Sequence, residues 1–161
     1  IDMEIRPYNA DDLVEIINLF RATIHLINIK DYTQEQVDAW APDFIDKEKW
    51  NKTLSEHHTF VAVNGDVIIG FGDIDDSGYL DRLYVHHDYQ RRGVATLICT
   101  KLESMIDANL TIMTHASITA KPFFENRGYK VVKEQIVERN GVSLKNFIMK
   151  LDRPAAMMDK P

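Results

Sequence analysis

Two arginines and a glycine stand together in Gln90-Arg91-Arg92-Gly93-Val94-Ala95, and their types and spacing suit the binding of a polyanion. The segment follows an apolar strand pattern, Tyr79-Leu80-Asp81-Arg82-Leu83-Tyr84-Val85, and opens a helical pattern running from about Gly93 to Asp107. At such a junction consecutive backbone N–H groups converge on one point, and the positive end of the helix dipole adds to them. Arg91 and Arg92 bring fixed positive charge to the same place. Gly93 lets a backbone approach a phosphate closely, and the methyl of Ala95 is small. A pyrophosphate requires that many donors at one point, so a phosphate-bearing ligand is the first expectation.

Other side chains able to do chemistry cluster around this segment. Asp81 is a carboxylate inside an otherwise apolar strand, a costly placement unless it is used or paired with a nearby arginine. Strict alternation puts Tyr79, Asp81, Leu83 and Val85 on one face and Leu80, Arg82 and Tyr84 on the other. His115 closes the next strand, at a pKa suited to proton transfer or simply to a structural hydrogen bond. The pairs His57-His58 and His86-His87 should point to opposite faces, so no metal is expected. Cys99 falls inside the helix after Gly93, as a small core filler.

The elements that must position these groups change period along the chain. Met3 to Pro7 reads as a strand, followed by an N-cap at Asn9 and a helix carrying Leu13, Ile16, Ile17, Phe20, Ile24 and Ile27. Thr33-Gln34-Glu35-Gln36 has capping-box form for a short helix that Pro42 ends, and Asp46 to Glu56 is a third helical piece. Strands follow at 59–63 and 67–74, joined by Asn64-Gly65, then at 79–85. After the long helix, 111–115 is a strand, 116–127 a helix stopped by Gly128, and 130–139 with 142–151 a hairpin across Asn140-Gly141. This order gives an α+β fold with a mixed, mostly antiparallel sheet of about seven strands. The crossover makes the strands before and after the long helix parallel, and a site belongs where their carboxyl ends part, near Val85 and His115.

Composition excludes several classes. Of 161 residues 45% are apolar and 27% charged, as in a folded globular chain, which is expected as a single domain over 3–151 with a polar tail at 152–161. The net charge of −6 argues against a general nucleic-acid binder. No apolar run is long enough to span a bilayer, so no membrane association is expected. The lone cysteine excludes an internal disulfide and fits a reducing cytoplasm.

Leu83-Tyr84-Val85-His86-His87-Asp88-Tyr89-Gln90-Arg91-Arg92-Gly93-Val94-Ala95 resembles the cofactor segment of the GCN5-related N-acetyltransferase superfamily, GNAT: an apolar strand, a short loop, then Gln/Arg-x-x-Gly-x-Gly/Ala opening a helix. Ala120-Lys121-Pro122-Phe123-Phe124-Glu125-Asn126-Arg127-Gly128-Tyr129 is similar to the family's A-x-x-F-Y-x-x-x-G-F segment, and the element order agrees from Met3 to Leu151. Asp31-Tyr32-Thr33-x-x-Gln36-x-x-Ala39-Trp40 resembles the front segment of a bacterial subgroup whose substrate is unsettled.

The resemblance implies an N-acetyltransferase of GNAT fold that moves the acetyl group of acetyl-CoA to a primary amine of a small molecule or peptide, by direct attack in a ternary complex. Coenzyme A would meet Leu83, Tyr84 and Val85 along the strand, Gln90 to Ala95 at the pyrophosphate, and Ser117 and Phe124 beyond. A backbone N–H near Tyr84–Val85 would receive the carbonyl oxygen. Phe124 stands where many relatives carry a tyrosine that protonates the leaving thiolate, and a phenyl ring donates nothing. With a thiol pKa of about 8.5, departure without an acid is tolerable. Asp81 is the first candidate for the base, directly or through a water, with His115 next. Tyr79 lies near a position where some relatives place a catalytic glutamate, and Tyr84 is the candidate to replace the lost tyrosine. The acceptor pocket is expected from the first two helices and their loop, with His25, Asp31, Tyr32, Gln36 and Trp40. A homodimer is compatible with the family. Two rival readings stay open: a GNAT module that binds or senses acyl-CoA without turnover, and a toxin that acetylates aminoacyl-tRNA.

Overall fold

Asn9 caps the first helical segment as its residue type suggests. Its side chain accepts from the Asp11 N–H at 2.9 Å, while Asp12 accepts from the Asn9 N–H at 2.9 Å and pairs with Arg6 at 2.8 Å. That arrangement fixes the passage from β1 (Glu4–Pro7) to α1 (Leu13–Leu26), which buries Ile16, Ile17, Phe20 and Ile24. The computed structural model describes residues 2–153, so the expected tail lies, after its first two residues, outside the described residues.

Thr33 and Gln36 form the expected capping box at the start of α2 (Gln34–Trp40), and Asp46 caps α3 (Lys47–Glu56). The remaining elements are β2 (His58–Asn64), β3 (Val67–Ile74), β4 (Tyr79–Val85), α4 (Val94–Ser104), β5 (Ile112–Ser117), α5 (Lys121–Asn126), β6 (Lys130–Arg139) and β7 (Val142–Leu151). They build one seven-stranded sheet in the order β1-β2-β3-β4-β5-β7-β6, antiparallel except for β4 beside β5. The α+β fold with a mixed, mostly antiparallel sheet is therefore the one observed.

Three boundaries differ from the sequence expectation, each for a local reason. Helix α4 stops at Ser104 rather than near Asp107, because Asp107 turns the chain by accepting from the Asn109 N–H at 2.9 Å. Ala116 and Ser117 extend β5 through pairs with Phe147 and Asn146, so the next helix begins at Lys121, not Ala116. The turn between β2 and β3 is Gly65-Asp66, since Asn64 still pairs with Val67. The Asn140-Gly141 turn is as expected, with both residues at positive φ, +47° and +82°, the signature of a type I′ hairpin.

Helices α4 and α5 pack on one side of the sheet, burying Ile98, Leu102, Ile112 and Phe124; α1, α2 and α3 pack on the other, around Ile16, Ile24, Leu54 and Phe71. Gly72 permits the close seat of α4 on β3: a Cβ there would stand 2.8 Å from the Arg82 carbonyl oxygen and 2.9 Å from Leu102.

The alternation expected along β4 is broken. Ile74 pairs with Leu80 and Asp73 with Arg82, so Asp81 is the extra residue of a bulge. Leu80 consequently shares the α4 side with Leu83 and Val85, whereas Tyr79 and Asp81 open into a cavity with Tyr84 on the opposite side. The bulge moves a carboxylate and a phenol from where simple alternation puts them to the side facing α1 and α2.

Candidate active site

Strands β4 and β5 pair only at Tyr79–Met113 and Leu80–Thr114, and then separate. The gap is the start of a cavity of about 580 Å³ running between them to the N-terminus of α4. On the far edge of β4, the His86 N–H bonds the Ile69 carbonyl at 2.8 Å, and the Tyr84 carbonyl also faces β3. By alternation Leu83 and Val85 turn their backbone groups into the gap, as an unpaired strand edge does. Two side chains meet the Val85 carbonyl there: Thr23 Oγ1 at 2.9 Å and Gln90 Nε2 at 2.7 Å.

Gln90 is therefore a brace for its own loop. Beyond it, Arg91 has φ +60° and Gly93 φ +84°, and left-handed residues just ahead of a helix start are the geometry that turns successive backbone N–H groups toward one anion. Among the described residues, apart from its own chain neighbours, nothing lies within 4 Å of a Cβ built on Gly93. The glycine is required by its φ and by open space for a ligand, not by crowding. Arg91 lines the cavity, while Arg92 turns its guanidinium over the Tyr89 ring at 5.5 Å and lies outside the lining.

The other wall belongs to β5 and α5. Ser117 lines the cavity, with its Oγ accepting from the Ala120 N–H at 3.0 Å. Phe124 reaches it from a packed position, 2% exposed and 4.9 Å from the Tyr129 ring. Tyr129 itself is spent on Glu103, to which it donates at 2.6 Å.

A second, smaller cavity of about 80 Å³ adjoins the first on the α2 side. Trp40, Asp81, Tyr84, His115 and Ser117 line both, so the two cavities meet at those five residues. Burial pushes the Asp81 carboxyl above its ordinary pKa, opposed by Arg82, whose Nη1 stands 3.4 Å away. Burial likewise pushes the Tyr79 phenol up to about 12, and Tyr84 higher still. His115 is lowered by desolvation and by the charge of Arg139; its ring lies 5.1 Å from Tyr79 and its Nδ1 3.5 Å from Gln135.

Of the residues assigned from sequence to the acceptor pocket, Trp40 lines both cavities and Tyr32 the smaller one. The other three are outside both linings. His25 Nε2 bonds the Ala41 carbonyl at 2.8 Å, Asp31 accepts from Thr119 at 2.8 Å, and Gln36 completes the cap of α2 and donates to the Ser143 carbonyl at 3.0 Å. They hold α2 and its loop against α1, the turn after β5, and β7. Sequence reasoning missed Thr23, Asn28 and Lys30 at the end of α1, and Arg139, Lys145 and Asn146 on the last hairpin. Arg139 had one legible hint, its place directly before Asn140-Gly141.

The histidine pairs also behave differently from the expectation. His86 and His87 are off the strand, and their rings stack at 4.4 Å instead of pointing apart. His57, Asp73 and Asp81 approach one another closely enough for a cation. Arg82 already provides the positive charge between the two carboxylates, at 2.8 Å from Asp73 and 3.4 Å from Asp81. Cys99 is fully buried, with its thiol pushed up to about 12 by burial. No helix among the described residues is long and apolar enough to cross a membrane.

Residues 28–151 match the family model described as an acetyltransferase (GNAT) domain. An Escherichia coli K12 protein, uncharacterized N-acetyltransferase YafP, is 34% identical over 92% of this chain and 95% of its own length. A crystal structure from Rhodopseudomonas palustris, described as a GCN5-related N-acetyltransferase, is 33% identical and superposes with a TM-score of 0.90 over 94% of this chain and 96% of that one. The PaiA N-acetyltransferase from Thermoplasma acidophilum, solved in complex with coenzyme A, shares the fold at 19% identity, with a TM-score of 0.76 over 94% and 99% of the two chains.

Proposed function

The chain belongs to the GNAT acetyltransferase family, and from that premise we propose that it transfers the acetyl group of acetyl-CoA to a primary amine of a small molecule or peptide, within one ternary complex. The observation that carries this reading is the junction of a long cavity with a short one at Asp81, Tyr84 and His115. A donor and an acceptor substrate need two such compartments that touch.

The long cavity suits coenzyme A. The glycine turn at 91–95 and the Arg91 guanidinium fit a pyrophosphate, and the open backbone edge at Leu83 fits an amide of an extended pantetheine arm. Bound there, acetyl-CoA supplies the thioester. The Val85 N–H is the donor for its carbonyl oxygen. Asp81 takes a proton from the ammonium of the acceptor, and its raised pKa makes it a stronger base than an ordinary carboxylate. The amine nitrogen then bonds the acetyl carbon as the carbon–sulfur bond breaks, and the proton the nitrogen loses in becoming an amide passes through water to the thiolate, giving the coenzyme A thiol. Tyr84, whose phenol keeps its proton, and water are the groups near the departing sulfur, since Phe124 donates nothing.

Phe124 favours a second reading, an acyl-CoA-binding module without turnover. The smaller cavity favours the enzyme, because a sensor has no use for a polar acceptor compartment beside the thioester. An aminoacyl-tRNA acceptor fits poorly with the net charge of −6. A single domain over 3–151 in a cytoplasmic setting, with no resident metal, completes the proposal.

Thermal shift with coenzyme A and thiol release from acetyl-CoA with a panel of amines test it together. Stabilisation by coenzyme A plus thiol release with some amine supports the enzyme. Stabilisation with a silent panel favours the binding module, and no shift at saturating coenzyme A removes the cofactor assignment.

A further inference from the structure

We propose that Arg139 anchors a carboxylate on the acceptor, so that the amine this chain acetylates belongs to an amino-acid-like zwitterion. The inference rests on the acetyltransferase reading and names the substrate class of the same site. Arg139 and Asp81 line the smaller cavity together, which gives that space one wall of each sign.

Among the described residues Arg139 makes no ion pair, and its side chain reaches only the neighbouring Glu138 carbonyl, at 3.4 Å. The adjacent cation, Lys145, is already 3.6 Å from Glu134. Arg139 lies outside the lining of the larger cavity, whose glycine turn and Arg91 stand at the α4 end, so it is not a ligand for the phosphates of the donor.

Arg139 is exposed, and the backbone beside it is held by the fold. Asn140 Nδ2 donates to the Ala39 carbonyl at 2.7 Å, Gln36 Nε2 to the Ser143 carbonyl at 3.0 Å, and Tyr32 Oη to the Lys145 carbonyl at 2.7 Å. These three bonds tie the turn and the β7 arm of the type I′ hairpin to α2 and the loop before it, with Arg139 at the end of β6, next to the turn. Its charge is felt by His115 and Tyr84, where the cavities meet, and by Tyr79 on the wall of the smaller one.

A plain amine suits such a cavity badly. Before it loses its proton the acceptor is a cation, and Arg139 repels it. A carboxylate on the same molecule removes the repulsion and offers the guanidinium a planar, two-oxygen partner. The amine then stands on the Asp81 side, next to the acetyl carbon.

The test is a comparison of kcat/KM with acetyl-CoA for amino acids of increasing chain length, each against its carboxamide and its decarboxylated amine. The proposal predicts a preference of about ten- to a hundredfold for one carboxylate-bearing acceptor, appearing mainly in KM. Arg139→Gln should bring the ratio near one, and Arg139→Lys should restore part of it. Equal rates across a set that is turned over contradict the anchor while leaving the acetyltransferase standing, as does a preference that survives Arg139→Gln. A faster reaction with the matching amino phosphonate overturns the carboxylate assignment. A set that is silent throughout, although coenzyme A stabilises the protein, overturns the acetyltransferase reading and the anchor with it.

Discussion

The carboxylate of Asp81 stands 3.4 Å from the guanidinium of Arg82, whose firmer partner is Asp73 at 2.8 Å, fully buried on the neighbouring strand. Asp81 is thus the more loosely paired carboxylate of a network that also holds His57, and the one that faces the junction of the cavities. Because burial raises its pKa, its ionised form costs folding free energy, and that cost grows as pH rises through the folded value. Asp81→Asn should lower kcat about 10²- to 10⁴-fold, with no loss of Tm and no loss of the coenzyme A shift. A fall in Tm that accompanies the lost activity points instead to a structural role.

His57 donates to Asp73 at 2.7 Å, and that bond raises the imidazole pKa above its usual 6.5. The charged pair therefore stabilises the fold fully below about pH 6.5, and the contribution declines as pH rises through the raised folded value. The difference in Tm between the protein and His57→Gln should be widest in mildly acidic buffer and narrow toward alkaline pH. A difference that stays constant from pH 5 to 9 contradicts the charged pair.

Gly93 tests the phosphate cradle. Its φ of +84° costs an alanine about 1–2 kcal/mol of backbone strain, with no clash against the protein. Gly93→Ala should lower Tm by a few degrees and abolish most of the stabilisation by coenzyme A, because the methyl enters the ligand's space. Retention of the full coenzyme A shift places the pyrophosphate elsewhere.

Tyr32 fastens three elements at one atom: its hydroxyl donates to the Lys145 carbonyl at 2.7 Å and accepts from the Ile118 N–H at 2.9 Å. Tyr32→Phe leaves both backbone groups without that partner and should cost about 1–3 kcal/mol in urea unfolding. The acceptor KM should rise with it, since α2 and the last hairpin frame the smaller cavity.

The donor half of the site was legible in the sequence because its chemistry is local. Gly93, the strand before it and the helix after it are consecutive, and a dipole with a glycine turn carries its own signature. The α+β order and the Asn140-Gly141 hairpin followed from period and turn chemistry for the same reason. The faces of β4 were misassigned because a bulge has no marker in a period-two pattern; only the register against Asp73 and Ile74 reveals that Asp81 is the extra residue. The acceptor half depends on contacts between residues about a hundred positions apart, such as Gln36 with Ser143 and Asn140 with Ala39. His25, Asp31 and Gln36 had the right residue types for a polar pocket, yet tertiary contacts employ them as braces. Arg139 entered from an element that single-sequence reasoning could not dock.

The central claim is that an acetyl group crosses from the larger cavity to an amine in the smaller one. Its most direct measurement follows isotopically labelled acetyl-CoA, incubated with the protein and a mixture of amines and amino acids, by mass spectrometry. The account predicts enzyme-dependent appearance of the label in an amide, with one coenzyme A thiol released for each, and a loss of both in Asp81→Asn. Label that stays in the thioester while coenzyme A remains bound to the protein contradicts it.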